Sequence, residues 1–553
     1  MATAEPKLGL ALSGGGHRAA FFHIGVLAGL AERGLLRPIQ VISTVSGGSI
    51  VGALYYLHVK NLLETKADTD IDDADYVEVV RRVEADYRAG AAANVRASAY
   101  ANLAANVKMA RQSYSRTIRA AELYERHFYR SAWGERALRH GRIAMRDLTI
   151  QPHGHTGPFD PDARNPERRA KVPILLLEAT TLNTGHNWRF EAMYMGEPRR
   201  QSESDVVNDI DKNVLLERTA WTKLPGRLED FPLGNAVASS ACFPGGFAPV
   251  QITGLFDDLV VELVDGGVHD NQGVEGLLDR DCTHIVISDG SGQMPDVARP
   301  AIRIPAVLSR VVSIYGDAER EQRLLRALER DDTAFFHLQS GLEAYEREPP
   351  DGKPTPRPQK LTTRDFGVAE EAQQALARIR TDLDAFCETE AWSLAKDAHA
   401  IVDTIIPRQL QIAALGTPGA PQRWPWTDTI DLANPSPRLL QVLRVGKQRF
   451  GKPWLMRPSW VRWLVYGAAA AAVALALAGL GWLLVPHGAV LFGLGLGTLV
   501  ALGLYAGPGN PVSRVLYDTV VPVLLAVPLF VMAHAMLLAG RAWLRLGRAS
   551  PPG

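Results

Sequence analysis

Short apolar runs alternate with longer helix-periodic segments through the first three hundred residues. Lys7 to Ser13 reads as a strand and Ala19 to Arg33 as the helix behind it, ending near Gly34. Val41-Ile42 marks a second buried strand, followed by a helix-compatible stretch from Ile50 to Leu57. Val172 to Ala179, Leu259 to Val264 and Ile285 to Ser288 read as further buried strands. Asn235 to Pro249 begins as a helix of small residues and breaks at Pro244-Gly245-Gly246. Ile304 to Arg330 and Phe366 to Ile406 carry helical patterns joined by a proline-rich linker, Pro349 to Pro358. Strands alternating with helices predict an α/β fold, a mainly parallel sheet with helices on both faces.

Two stretches have unusual chemistry. Ala89 to Ala121 is alanine-rich and carries Arg96, Lys108, Arg111, Arg116 and Arg119 with no acidic residue. It reads as an insertion with a solvated basic face, the alternative being a surface for anionic lipid. The acidic run Asp68, Asp70, Asp72, Asp73 and Asp75 lacks the glycine and closing glutamate of a calcium loop, so it reads as a solvated, helix-capping loop.

The pattern changes at the C-terminus. Trp463 to Leu484 and Gly488 to Ala506 are almost wholly apolar, and Val515 to Gly540 is apolar apart from Asp518 and two prolines. Runs of roughly 20 apolar residues are what a bilayer core requires. Arg444, Lys447, Arg449, Lys452, Arg457 and Arg462 precede the first run, which predicts an integral membrane protein of the cell (inner) membrane with its large N-terminal part in the cytoplasm. Arg541, Arg545 and Arg548 make the same demand at the other end, so the count of two or three spans stays open. The expected organisation is an α/β unit over 1–345 with a helical insertion at about 60–165, a helical extension of that unit over 346–406, a proline-rich tether over 407–460 and a membrane region of two to three apolar helices over 461–545.

Composition narrows the function. The 553 residues hold 60 Lys plus Arg and 60 Asp plus Glu, a balance that gives no electrostatic footprint for nucleic acid. Cys242, Cys282 and Cys387 are too few and too far apart for a disulfide framework and suit a reducing compartment. Leu8 to Leu12 is apolar, but no basic n-region precedes it and glycines follow at once, unlike a signal peptide.

Three motifs fall at strand ends. Ser13-Gly14-Gly15-Gly16-His17-Arg18 exposes consecutive backbone N–H groups at a strand-to-helix junction. No Lys-Ser/Thr pair follows, so a nucleotide phosphate fits less well than an oxyanion, which needs only two such donors. Thr44-Val45-Ser46-Gly47-Gly48 places a serine between strand and helix in the manner of a nucleophile elbow, with Thr44 where G-x-S-x-G has its first glycine. Asp265-Gly266-Gly267 puts a carboxylate at a third strand end. Catalytic groups of parallel sheets gather outside the carboxyl ends of the strands. Asp289 is a rival acid, and His269, His17 and His23 are alternative bases.

In this order and spacing the three motifs resemble the patatin-like phospholipase family, over roughly Lys7 to Gly290; Thr180 to Gly185 and the ASSACFP stretch resemble family segments around the pocket. The resemblance implies a three-layer fold and a Ser–Asp dyad in which Ser46 is the nucleophile and Asp265 its partner. Gly14, Gly15, Gly16 and Arg18 match the oxyanion-hole motif, Thr44 and Gly48 flank the elbow, and Gly266 and Gly267 complete the aspartate motif. It further implies a serine lipid acyl hydrolase of phospholipase A or lysophospholipase type, needing no cofactor and no metal. The partners are membrane lipids as substrate and the bilayer itself. A catalytically silent lipid-binding or scaffold protein on the same fold is the alternative, and Thr44 is the feature in its favour.

Overall fold

The central sheet has strand order β10-β9-β1-β2-β3-β4-β5-β6, with β8 joined to β3 and β7 to β8. The strands are β1 (Leu8–Leu12), β2 (Ile39–Val45), β3 (Ile174–Thr181), β4 (Asn187–Phe190), β5 (Tyr194–Gly196), β6 (Thr219–Ala220), β7 (Val250–Ile252), β8 (Val261–Asp265), β9 (His284–Asp289) and β10 (Thr333–His337). This is a computed structural model, and it describes residues 6–109, 114–198, 211–330, 332–347, 354–410, 421–457 and 521–549. From β10 to β3 all pairings are parallel; β4, β5, β6, β7 and β8 pair antiparallel. The expected mainly parallel sheet is therefore correct, with an antiparallel extension.

Both faces of the parallel part are covered, and the strands show it by alternation. Leu8, Leu10, Leu12, Ile42 and Val286 enter the main core, whereas Ala11, Val41, Ile285 and Ile287 enter a second cluster on the opposite face. Helices α1 (Gly16–Glu32), α2 (Gly47–Thr65) and α3 (Asp73–Ala92) pack together in the main core. The basic stretch is not one helix: Asn94 sits at φ 52° and Asn102 caps a new turn, so α3 stops at Ala92 and α4 (Arg116–Tyr124) starts afresh. Asp72 and Asp75 form a capping box at the start of α3, which accounts for part of the acidic loop.

Further helices are α5 (Leu233–Ser240), α6 (Val274–Asp279), α7 (Ile304–Leu328), α8 (Glu370–Ala377) and α9 (Glu388–Gln409). Helix α9 lies along α1, and α6 and α7 cover the second face of the sheet. Within the stretch expected as a tether, Trp424 and Trp426 stack 5.4 Å apart and are buried.

The first two expected membrane spans lie outside the described residues. Helix α10 (Val521–Leu546) overlaps the third, and its Pro528–Leu546 part is long and apolar enough to cross a membrane by length and composition. Its C-terminal turn touches the body of the protein, where Trp543 is buried beside Cys387 and Val442.

Candidate active site

Register explains how residues 46 and 265 come together. Ala179 of β3 pairs with Trp188 of β4 on one side and Asp265 of β8 on the other, while Glu178 pairs with Arg189 of β4 and Val45 of β2. Strands β2 and β8 therefore occupy the same edge of β3, one after the other. They run in opposite directions, so their carboxyl ends abut. Val45 and Asp265 face consecutive residues of β3, and Ser46 is the next residue out.

Ser46 stands at φ 51°, ψ −114°, as the N-cap of α2. A non-glycine residue there costs about 1–3 kcal/mol and persists only where its surroundings hold it. Its N–H donates to Ser240 Oγ at 3.0 Å, and Gly48 N–H donates to Ser13 O at 3.1 Å. The Ser46 N–H bond ends a directed chain of hydroxyls. Thr44 has one hydroxyl proton and gives it to Leu176 O at 2.9 Å. Ser49 must then donate to Thr44 Oγ1 (2.9 Å), and Ser240 to Ser49 Oγ (2.8 Å), which leaves Ser240 Oγ free to accept from Ser46.

Asp265 is buried and receives the Gly267 N–H at 2.8 Å. Burial pushes its carboxyl up to about 6, against the opposing pull of hydrogen bonds from Gly267 and the Ser46 side chain. At neutral pH such a group is ionised yet basic, as proton abstraction from a hydroxyl requires.

The glycine loop closes the third side. A Cβ on Gly14 would stand 3.2 Å from Ser46 Cβ, so loop and serine are in direct contact. Gly14 N–H is taken by Asn271 O at 2.9 Å. Gly15 (φ 137°) and Gly16 (φ 60°) adopt conformations open to glycine, and their N–H groups precede the first helical bond of α1, from Ala19 N–H to Gly15 O. Gly15 and Ser46 are partly exposed among buried neighbours. Arg18 lies elsewhere: its guanidinium donates to Gly290 O, Ile379 O and Ser291 O and braces the loop from behind.

The alternative acid and bases each have partners other than Ser46. Asp289 pairs with Arg320 at 2.8 Å and is held below the usual carboxylate range despite burial. His17 meets Tyr87 Oη at 2.8 Å and burial lowers it to about 3; His23 bridges Ser288 and Ser13 O and burial lowers it to about 4. His269 contacts Glu275 at 2.9 Å. Among the described residues, Glu32, His399 and Asp403 are close enough together to hold a metal ion, but at the far end of α1 from the glycine loop. Glu32 there already accepts from Trp424 Nε1.

Sequence reasoning missed Ser49, Ser240 and Asn271. The Asn271 side chain is wedged between two motifs, since a Cβ on Gly14 or Gly267 would fall within 2.3 or 2.5 Å of its Oδ1. Its place four residues after Gly267 was the available signal.

Residues 10–278 match the family model described as patatin-like phospholipase. No curated protein matches the chain. Among solved structures, human GIVD cytosolic phospholipase A2 is similar at 12% identity with a TM-score of 0.33, over 72% of this chain and 61% of that one. The chain thus spans less than two thirds of that enzyme's length. VipD from Legionella pneumophila is similar at 12% identity with a TM-score of 0.28, over 99% of this chain and 92% of that one.

Proposed function

Because residues 10–278 are a patatin-like phospholipase domain, we propose that the protein is a serine lipid acyl hydrolase in which Ser46 and Asp265 form the catalytic dyad. The observation that carries the reading is the abutment of β2 and β8 on one edge of β3, which sets a strained serine against a buried carboxylate whose affinity for protons is raised.

The chemistry follows from the residues. Asp265 takes the Ser46 hydroxyl proton as Oγ attacks the ester carbonyl carbon. The N–H groups of Gly15 and Gly16 meet the oxyanion, each such donor contributing about 3 kcal/mol in comparable sites. The intermediate collapses, the alcohol leaves with the proton from Asp265, and an acyl-serine remains. Water then attacks with Asp265 again as base, and the fatty acid departs as that proton passes from Asp265 to Ser46 Oγ. An apolar C-terminal region would hold this domain at the membrane that contains its substrate, with the domain on the cytoplasmic side; α10 and the basic residues before Trp463 support that placement.

The test uses two reagents. A fluorophosphonate probe is expected to label the wild type at Ser46 and leave Ser46→Ala unlabelled, and the same variant is expected to lose hydrolysis of a short-chain ester with its unfolding temperature unchanged. Labelling at a different serine, or full turnover by the variant, would refute the assignment.

A further inference from the structure

Helix α7 is amphipathic in the wrong sense for a soluble domain. The residues it turns toward the body are Arg310, Asp317, Arg320, Leu324 and Ala327, all at least partly buried. Arg320 reaches the buried Asp289 at the end of β9, and Arg310 donates to Pro295 O at 2.9 Å. At about 100° per residue, Ile304, Leu308, Val311, Val312 and Tyr315 form an arc on the opposite side. That side faces outward: Ile304 is 75% exposed, Leu308 61%, Val312 71% and Tyr315 71%.

The helix also extends above the catalytic face. It is the crossover between parallel strands β9 and β10, so it runs opposite to them. Arg320 is level with the carboxyl end of β9 through its bond to Asp289. The 16 residues from Ile304 to Glu319 therefore project up to about 24 Å beyond that edge at 1.5 Å per residue. The same edge carries the glycine loop, since a Cβ on Gly15 would stand 3.1 Å from Gly290 O. Between Arg299 and Tyr315 the charges are Arg299, Arg303 and Arg310, with no acidic residue. Exposed Val268 adds an apolar point beside Asp265-Gly266-Gly267.

We infer that the N-terminal half of α7 is a membrane-docking helix, which seats its apolar arc in the outer layer of an anionic bilayer and so presents the Ser46 cleft to lipid. The basic residues at its start are complementary to anionic headgroups. The inference names the surface through which the proposed hydrolase meets its substrate and rests on that reading for its purpose, though not for its geometry.

The test separates the two. The three native cysteines are buried, so a cysteine introduced as Val312→Cys in full-length Ser46→Ala protein takes a polarity-sensitive dye selectively. With phosphatidylcholine–phosphatidylglycerol vesicles, the dye at position 312 is expected to shift to the blue and be quenched by a lipid-borne nitroxide. A dye placed by Ser313→Cys, on the polar side, is expected to stay unquenched. A shifted dye that the nitroxide cannot reach would mean that another part of the chain or a second copy covers this face, and would overturn the inference; so would a dye that stays in water. In the active protein, Leu308→Glu with Val312→Glu is expected to lower turnover of vesicle lipid at least ~tenfold while hydrolysis of a monomeric short-chain ester is unchanged. Equal loss on both substrates would show a folding defect and count against docking. Lipid quenching without any hydrolysis by the wild type would leave the docking helix standing and remove the enzyme.

Discussion

The methyl group of Thr44 fills the space that Gly52 leaves open: a Cβ on Gly52 would stand 2.5 Å from Thr44 Cγ2. The residue that departs from the elbow pattern is thus matched by a glycine one and a half turns into α2. Glycine inside a helix costs about 1 kcal/mol relative to alanine, so Gly52→Ala would be stabilising were Thr44 absent. With Thr44 present, the stiff β-branched side chain cannot swing aside, and the clash is expected to outweigh the gain, destabilising the protein by about 1–3 kcal/mol. In a Thr44→Ser background the methyl is gone, and the same substitution is expected to be neutral or stabilising. Denaturant unfolding of the four proteins in this cycle checks the sign reversal.

Asp265 predicts opposite pH dependences for rate and stability. Its carboxyl is raised to about 6 in the folded protein because burial disfavours the charge. In the proposed role of general base it must be ionised, so kcat/KM for a soluble ester is expected to rise through an apparent pKa near this value. For stability the folded state holds the proton more tightly than the unfolded chain. The contribution of this group is therefore complete below the unfolded carboxylate pKa and disappears as pH rises to about 6, a loss of about 3 kcal/mol across the window. Asp265→Asn removes both effects. The difference between wild-type and variant unfolding free energies, followed across this range, is expected to fall as the wild-type rate climbs.

How much of this was legible in the sequence depended on the distance over which each relationship acts. Strands announced themselves because both faces are buried, so β1 is apolar throughout and β2, β3 and β9 each carry a short apolar run, at Val41-Ile42, Ile174 to Leu177 and Ile285 to Ile287. The three motifs were legible because each is contiguous. Ser240 was not: it lies 194 residues from Ser46 and reaches it through a single accepted N–H bond. The basic insertion read as helix-prone because alanine propensity is a sum over many residues, but its breaks were not legible, since one asparagine in the left-handed region is enough to end a helix. The periodicity of Ile304 to Arg330 identified the helix but not its outward face, which is decided by the bond between Arg320 and a buried aspartate on a different element.

The hydroxyl chain predicts that Ser240 positions Ser46, the proposed nucleophile, without touching substrate. Ser240→Ala leaves the Ser46 N–H without its acceptor and Ser49 without its donor, at a cost of about 1–3 kcal/mol. The same chain is cut at its other end by Thr44→Val, which keeps the shape and loses the hydroxyl, whereas Thr44→Ser keeps it. A positioning role is expected to lower kcat for a soluble ester in Ser240→Ala and Thr44→Val with KM little changed, and to spare Thr44→Ser. Loss of stability in all three with kcat intact would reduce the chain to ordinary packing.

Trp543 decides whether the end of α10 belongs to the membrane or to the body. Its ring is fully buried beside Cys387 and Val442, with Nε1 donating to Glu390 Oε2 at 2.7 Å. Thr389 N–H and hydroxyl hold Gly547 O at 3.1 and 2.8 Å just beyond. Glu390 in turn pairs with buried Arg380, so removing the indole opens a cavity and withdraws a donor from a buried ion pair. Trp543→Ala is expected to destabilise the N-terminal body by about 3–5 kcal/mol, and Trp543→Phe by about 1 kcal/mol through the lost hydrogen bond. Thermal unfolding monitored within residues 6–410 checks this, for instance by hydrogen exchange along α9. A helix surrounded by lipid to its last turn would leave that exchange unaltered in both variants. Removal of everything after residue 457 is expected to cost the body at least as much as Trp543→Ala, because the docked turn supplies packing that the rest of the chain does not replace.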